Sequence, residues 1–393
     1  MKSSLPLVFG IAVALSASAL TPAVMPPPTG LASAASSAAP MAGPPVVQAR
    51  TWVLVDFASG QALAESNADQ RIEPASLTKL MSAYVVFSAL HDGRLKMNEL
   101  VPISEHAWRA EGSRTFVQVG TTVPVDVLVK GMIVQSGNDA TIALAERVGG
   151  SEAAFVQMMN AYAQRLGMRG THFEDSSGLP SPNHYSTARD LATLSRAIIR
   201  EFPQYYGIYS LREFTWNKIR QENRNGLLER DPSVDGLKTG HTDTAGYCLI
   251  SSALRSGMRL VSVVLGSPSV LARETGSAAL LNYGFTFYET VTVKKAGEMV
   301  LQPRVYKGSE KLVDVAPATA VQVTVPRGQA GTVTTRVEVR QPLIAPLATS
   351  SAVGQLQVSV AGKVVANAPL YPVAPVAEGG LWRRLIDTIS LWL

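Results

Sequence analysis

Ser76 and Lys79, in the stretch Glu73-Pro74-Ala75-Ser76-Leu77-Thr78-Lys79, have the types and the spacing for acyl transfer. Leu80, Met81, Tyr84, Val85, Phe87 and Leu90 follow at intervals that suit a buried helix. Pro74 fits the first turn of such a helix, where a missing N–H costs nothing. Three positions apart on a helix, Ser76 and Lys79 share a face. An amine in a dry pocket loses its charge and becomes a base. The hydroxyl beside it then becomes a nucleophile, and the helix N-terminus favours the developing negative charge. Ser-x-x-Lys alone arises often by chance, and an exposed helical lysine is usually only a solvated charge, so the reading needs support from elsewhere.

Support comes from Ser136-Gly137-Asn138 and Lys238-Thr239-Gly240. The first lies in a loop between two helical patterns, the second on a strand-like run. In this order the three tracts resemble the signature of class A β-lactamases and penicillin-binding proteins. Ser136 and Asn138 would relay a proton and hold a substrate amide; their plainer role is helix capping. Lys238 would help keep Lys79 neutral and attract a carboxylate, to which Thr239 offers a hydroxyl. Gly240 would let substrate lie against the strand edge as an added strand. In a regular strand Lys238 and Gly240 share one face and Thr239 the other, so a twist or bulge is needed for all three to serve one site. The backbone N–H groups of Ser76 and His241 would form an oxyanion hole.

The elements that must position these residues follow from periodicity. Thr51 to Asp56 and Gln61 to Ala64 read as a hairpin turning at Ser59-Gly60. Helical patterns run over residues 125–132, 139–148, 152–166 and 187–200, with a Gly/Pro/Ser-rich loop holding Glu174, Asp175 and His184 before the last. Strands are predicted over 234–241, 246–253 and 259–265, then a helix over 270–282. Strands, helices and again antiparallel strands make an α+β architecture. After about residue 291 short alternating runs such as Val321-Gln322-Val323-Thr324-Val325 indicate a small all-β domain with no visible chemistry, a spacer or docking module. In the tail, Leu381, Trp382, Leu385, Ile386, Ile389, Trp392 and Leu393 fall on one helical face and Arg383, Arg384, Asp387, Thr388 and Ser390 on the other, with Leu391 the exception. Too short to span a bilayer, this helix suits the lipid interface, and the Pro-rich, Gly379-Gly380 lead-in predicts that it stands apart from the protein.

Composition limits the alternatives. A hydrophobic share of 46% against 17% charged residues describes a chain with a sizeable core. The net charge of +5 is spread without a basic block, which makes nucleic acid a poor partner but suits anionic surfaces. With Cys248 the sole cysteine no internal disulfide is possible; its apolar run predicts a buried side chain. The histidines show no metal-ligand spacing, so no metal site and no cofactor are expected. At the N-terminus, Lys2 and the short apolar run Leu5 to Leu15 read as an export signal, with Ala17-Ser18-Ala19 and Ala32-Ser33-Ala34 as cleavage candidates. The expected organisation is a signal peptide over 1–34, a disordered linker over 35–47, a catalytic domain over 48–290, a β-sandwich-like domain over 291–372, and a linker with the amphipathic helix over 373–393.

Beyond residue 50 the chain resembles the D-alanyl-D-alanine carboxypeptidases among low-molecular-mass penicillin-binding proteins, of the type of penicillin-binding proteins 5 and 6. The resemblance rests on Pro74 to Lys79, Ser136-Gly137-Asn138-Asp139-Ala140, His184 to Asp190, Asn223 to Leu228, Val234 to Thr242 and Asn282-Tyr283-Gly284-Phe285, and extends to the β domain and the tail. It implies a penicillin-binding, β-lactamase-like transpeptidase fold, with a helical cluster on an antiparallel sheet. It implies a serine peptidase of the periplasm that removes the terminal D-Ala from peptidoglycan stem peptides, is acylated by β-lactam antibiotics, and lies on the periplasmic face of the inner membrane through residues 379–393. Catalysis would fall to Ser76, Lys79 and Ser136, and substrate binding to Asn138, Lys238, Thr239, Gly240 and His241. Arg224 and Arg273 match basic positions near the family's site, although Glu229-Arg230-Asp231-Pro232-Ser233 looks shortened beside the usual pattern. A β-lactamase is the runner-up and needs a second base, for which Glu174 is the candidate. A DD-endopeptidase or a non-catalytic wall-binding protein would use the same fold.

Overall fold

The computed structural model describes residues 42–392. The expected signal peptide and most of the expected linker lie outside them. The largest sheet has five antiparallel strands: β1 (Thr51–Asp56), β2 (Ala62–Ser66), β3 (Val234–Thr242), β4 (Gly246–Arg255) and β5 (Met258–Ser267), in the order β2-β1-β5-β4-β3. Trp52-Val53-Leu54-Val55 is apolar throughout because β1 is covered on both faces. Val53 and Val55 join the core under the helices, and Trp52 and Leu54 join a second core on the other side.

The helices that matter for the site are α1 (Lys79–His91), α2 (Asn138–Gly149), α3 (Glu152–Arg165) and α4 (Ala188–Glu201) on one face of the sheet, and α5 (Val270–Phe287) on the other. Every residue of α1 except His91 is buried, so this helix runs through the middle of the helical layer with no solvent face. The expected helix over 125–132 is shorter, Val125–Lys130, because Gly131–Gln135 widens into a π-type turn that ends at Ser136. Six short pieces were not legible at all: the ribbon of Leu100–Pro102 with Thr122–Pro124, the ribbon of Glu213–Trp216 with Ile219–Glu222, and the single turns Glu105–Trp108, Pro203–Tyr206, Gly207–Ser210 and Leu227–Arg230.

Beyond α5 the chain is all β until its tail. Tyr288–Lys294 pairs with Val321–Pro326, and a four-stranded sheet of Val315–Pro317, Lys363–Pro372, Gly354–Val360 and Val333–Val339 packs with it around a valine-rich core. Side chains tie this module to the catalytic part: Thr290 Oγ1 donates to Asp56 Oδ2 at 2.8 Å, and Ser59 Oγ and Thr324 Oγ1 lie 2.7 Å apart.

The last helix, α6 (Leu381–Trp392), corrects the expectation of a tail standing apart. Gly379 N donates to Lys307 O at 2.8 Å, and Arg383 Nη1 donates to Ser309 O at 2.7 Å. Asp387 is buried, accepting from Lys307 N at 2.6 Å and from Arg304 Nη2 at 3.2 Å. Leu391, the residue out of place in the amphipathic pattern, is half-buried one turn beyond Asp387. The stripe Arg383, Asp387, Leu391 thus faces the β module, while Leu381, Trp382, Leu385, Ile386, Ile389 and Trp392 remain exposed. Among the described residues no helix is long and apolar enough to cross a membrane.

Candidate active site

Ser76 sits just ahead of α1, in the single 3-10 turn Ala75–Thr78. In that tighter turn residues i and i+3 eclipse, which stacks Lys79 directly against the serine. Lys79 Nζ lies 3.0 Å from Ser76 Oγ and donates to Ser177 O at 2.7 Å. Burial, the largest influence, lowers the Lys79 pKa from 10.5 to about 7; the charge of Arg224 pulls the same way, and Asp175 and Asp139 oppose it. A lysine in this state is largely uncharged a little above neutrality, so its lone pair is available to the hydroxyl beside it.

Ser136 ends the π-type turn in the left-handed conformation, φ 66°, which is strained for a serine and places it on the same cavity as Ser76. Its Oγ is buried and has no hydrogen-bond partner among the described residues. Asn138 is the first residue of α2; Gly137 occupies the cap position, so the capping role considered for the asparagine is not what is found. Its Nδ2 donates to Glu111 O at 2.6 Å and its N donates to Ser113 O at 2.7 Å, which pins residues 111–113 along the cavity, while Oδ1 is left buried without a partner.

β3 is an edge strand, and its outer side faces the Ser76 turn. A bulge between Val234 and Gly236 shifts its register. Thr239, Gly240 and His241 line the cavity, whereas Lys238 is buried behind it, its Nζ donating to Thr239 O at 3.1 Å. Burial drives the Lys238 pKa well down, reinforced by the charges of Lys79, Arg224 and Arg273. Gly240 has a structural duty besides any approach of substrate: a Cβ there would meet Pro74 O at 3.1 Å, so the glycine lets the strand close on the Ser76 turn.

The cavity between these parts measures about 610 Å³ and is lined by Ser76 and Ser136 on one side and by Thr239, Gly240 and His241 on the other. Arg224 and Arg273 also line it. Arg273 Nη1 donates to Gly240 O and Cys248 O, each at 3.3 Å, so it braces β3 and β4 as well as adding positive charge. Of the residues singled out in the sequence, seven form the wall and Lys79, Asn138 and Lys238 stand directly behind it.

Sequence reasoning missed the parts that act through the backbone. The Ser177 carbonyl meets Lys79, and Asp139 accepts from the N–H groups of Thr115, Phe116 and Val117 to hold the loop opposite. Tyr247, its ring tilted 33° against that of His241 with centroids 4.1 Å apart, also lines the cavity. Glu174 does not: it bonds Ser181 and faces a separate hollow with His106 and Glu152, so it supplies no second base beside Ser76. Among the described residues no group of His, Cys, Asp and Glu is arranged to hold a metal.

A sheet between two helical layers, with a Ser–Lys pair heading the central helix beside an edge strand, is the framework of the penicillin-binding serine acyl-transferases. The chain belongs to the D-alanyl-D-alanine carboxypeptidase family, which it matches over residues 38–269, and residues 288–378 match the C-terminal domain of penicillin-binding protein 5. It is 43% identical to the D-alanyl-D-alanine carboxypeptidase DacC of Escherichia coli K12 over 355 residues, 88% of this chain and 89% of that one. The crystal structure of penicillin-binding protein 5 from Haemophilus influenzae superposes with a TM-score of 0.80 at 43% identity, covering 86% of this chain and all of the other. Penicillin-binding protein D2 of Listeria monocytogenes, solved in an ampicillin-bound form, matches 62% of this chain at 33% identity with a TM-score of 0.58. The activity is that of the family, a serine-type carboxypeptidase acting on D-Ala-D-Ala.

Proposed function

We propose that Ser76 is the nucleophile and Lys79 the base of this reaction. Ser76 Oγ attacks the carbonyl between the two D-alanines as Lys79 takes its proton. The tetrahedral intermediate is stabilised by the backbone N–H groups of Ser76 and His241, and it collapses as the terminal D-Ala leaves with a proton. Water then hydrolyses the ester, Lys79 acting again as base with Ser136 and Lys238 in support, and Ser76 is restored. The observation that carries this reading is the buried amine held between Ser76 Oγ and the Ser177 carbonyl.

Arg224 and Arg273 line the cavity, with Lys238 buried behind it, and the two guanidinium groups suit a substrate that ends in a free carboxylate, which favours carboxypeptidase over endopeptidase action. Thr239 would donate to that carboxylate and Asn138 would meet the peptide amide. β-Lactams would acylate Ser76 in the same way, in keeping with the ampicillin complex of the Listeria relative. Glu174 lies elsewhere, so the acyl-enzyme should be slow to turn over the drug, unlike that of a β-lactamase.

The exposed apolar face of α6, with Trp382 and Trp392 at its ends, suits insertion into the outer face of the bacterial inner membrane, and the export signal suits the periplasm. The test of the chemistry is D-Ala release from an acylated tripeptide ending in D-Ala-D-Ala. Release should stop in Ser76→Ala and in protein treated with penicillin; release persisting in Ser76→Ala would leave the mechanism without a nucleophile.

A further inference from the structure

The loop after α3 is held more tightly than its Gly/Ser/Pro composition suggests, and it is held around one carboxylate. Asp175 Oδ1 accepts from Ser177 N and Gly178 N, each at 2.6 Å, and from Ser177 Oγ at 3.1 Å; Oδ2 accepts from Leu179 N at 3.1 Å. This turn presents the Ser177 carbonyl to Lys79. The neighbouring Ser176 is fastened as well, its N and Oγ donating to Glu152 Oε1 and its carbonyl accepting from Ser82 Oγ. His184 is buried between this loop and the Ser76 turn: its Nε2 lies 2.9 Å from the hydroxyl of Thr78, and its Nδ1 accepts from Glu174 N at 3.4 Å and lies 3.4 Å from Asp175 Oδ2. Gly178, at φ 91°, completes the contact, since any Cβ there would run into Ala75 O, one residue before the serine.

We propose that Asp175, tied by His184 to Thr78, is a positioning residue for the reaction: its carboxylate holds the Ser177 carbonyl on Lys79 Nζ and so aims the amine at Ser76. A neutral amine has two N–H bonds and one lone pair. With one N–H committed to Ser177 O, the lone pair can be turned towards Ser76 Oγ; without that anchor the amine rotates freely and the proton transfer loses its alignment. The inference rests on Lys79 being the base. Four titratable groups face Lys79: Asp175 from this loop, Asp139 from α2, Arg224, and Lys238 from β3. Asp175 is the stronger of the two that favour the ammonium, and substitutions at Asp175 and Thr78 separate its charge from the hold on the loop.

The measurement is the rate of acylation by a fluorescent penicillin, followed from pH 5 to 9 in the full chain, for wild type, Asp175→Asn, Thr78→Val and Ser76→Ala. Asp175→Asn should acylate about 10²-fold more slowly on its plateau, the cost of a misplaced reacting group. Its acid limb should move to lower pH by roughly one unit, because a negative charge that favours the ammonium has gone. Thr78→Val keeps that charge and loses only the tether; it should slow acylation about tenfold with the limb in place. An acid limb unmoved or moved upward in Asp175→Asn overturns the proposal, the upward shift being what a loosened, wetter pocket produces. If Asp175→Asn does not fold, Thr78→Val decides, and a wild-type rate there overturns it. Acylation persisting in Ser76→Ala would instead remove the underlying reading of the site, whatever the other variants do.

Discussion

Burial of Lys79 bears directly on both rate and stability. Acylation needs its neutral form, and with a pKa of about 7 that form grows as pH rises through neutrality. The rate of penicillin acylation should therefore climb through pH 7 and level off above pH 8; a rate independent of pH from 5 to 9 would contradict Lys79 as base. The same shift has a cost in stability. The folded pKa lies below that of the unfolded chain, so folding expels a proton between about pH 7 and 10.5, and the penalty is full below pH 7 and fades towards 10.5. Lys79→Met removes it. The variant's gain over wild type, measured by urea unfolding, should be largest at pH 7 and below and shrink by about 1.4 kcal/mol per pH unit above that. Residue types made this much of the site legible: a serine, two lysines and a Thr-Gly pair advertise their chemistry. The Ser177 carbonyl could not be read in the same way, because every residue carries one and only the fold says which is aimed.

At the scale of elements, the site depends on close approach between backbones. Gly178 against Ala75 and Gly240 against Pro74 let a loop and an edge strand close on the Ser76 turn from two sides. Gly178→Ala should cost roughly 1–3 kcal/mol in unfolding free energy and slow acylation as well, because both its positive φ and the contact forbid a side chain. Wild-type values for both would show that the loop does not bear on the turn. The helix and strand pattern was readable because α1 and the central strands are apolar in a periodic or continuous way. Their ends were less so. The helix predicted over 270–282 continues to Phe287, through Gly284, which sits where Leu260 and Leu54 press against the helix, so packing outweighs propensity. The 3-10 turn at Ser76 was equally hidden, since Ala-Ser-Leu-Thr suits either helix type.

At the scale of the molecule, α6 is joined to the β module by its polar stripe, and the module to the catalytic part through Tyr288–Lys294, Asp56 and Ser59. The amphipathic pattern showed which face is apolar; it could not show that Asp387 has a partner, because Arg304 and Lys307 lie some eighty positions away. Two outcomes follow for binding to anionic lipid vesicles. Deleting residues 379–393 should abolish co-sedimentation, and undiminished binding would remove the helix from any anchoring role. Asp387→Ala should retain binding, while amide exchange at residues 304–309 and 381–392 should speed up because the helix is no longer fixed to the module; unchanged exchange would mean the aspartate does not hold it.

The claim on which the rest depends is that Ser76 takes the acyl group. Mass spectrometry of the digested penicillin adduct tests it directly. One penicilloyl group should be found, on the peptide that contains Ser76, and its absence there or its presence on Ser136 or any other residue would contradict the account.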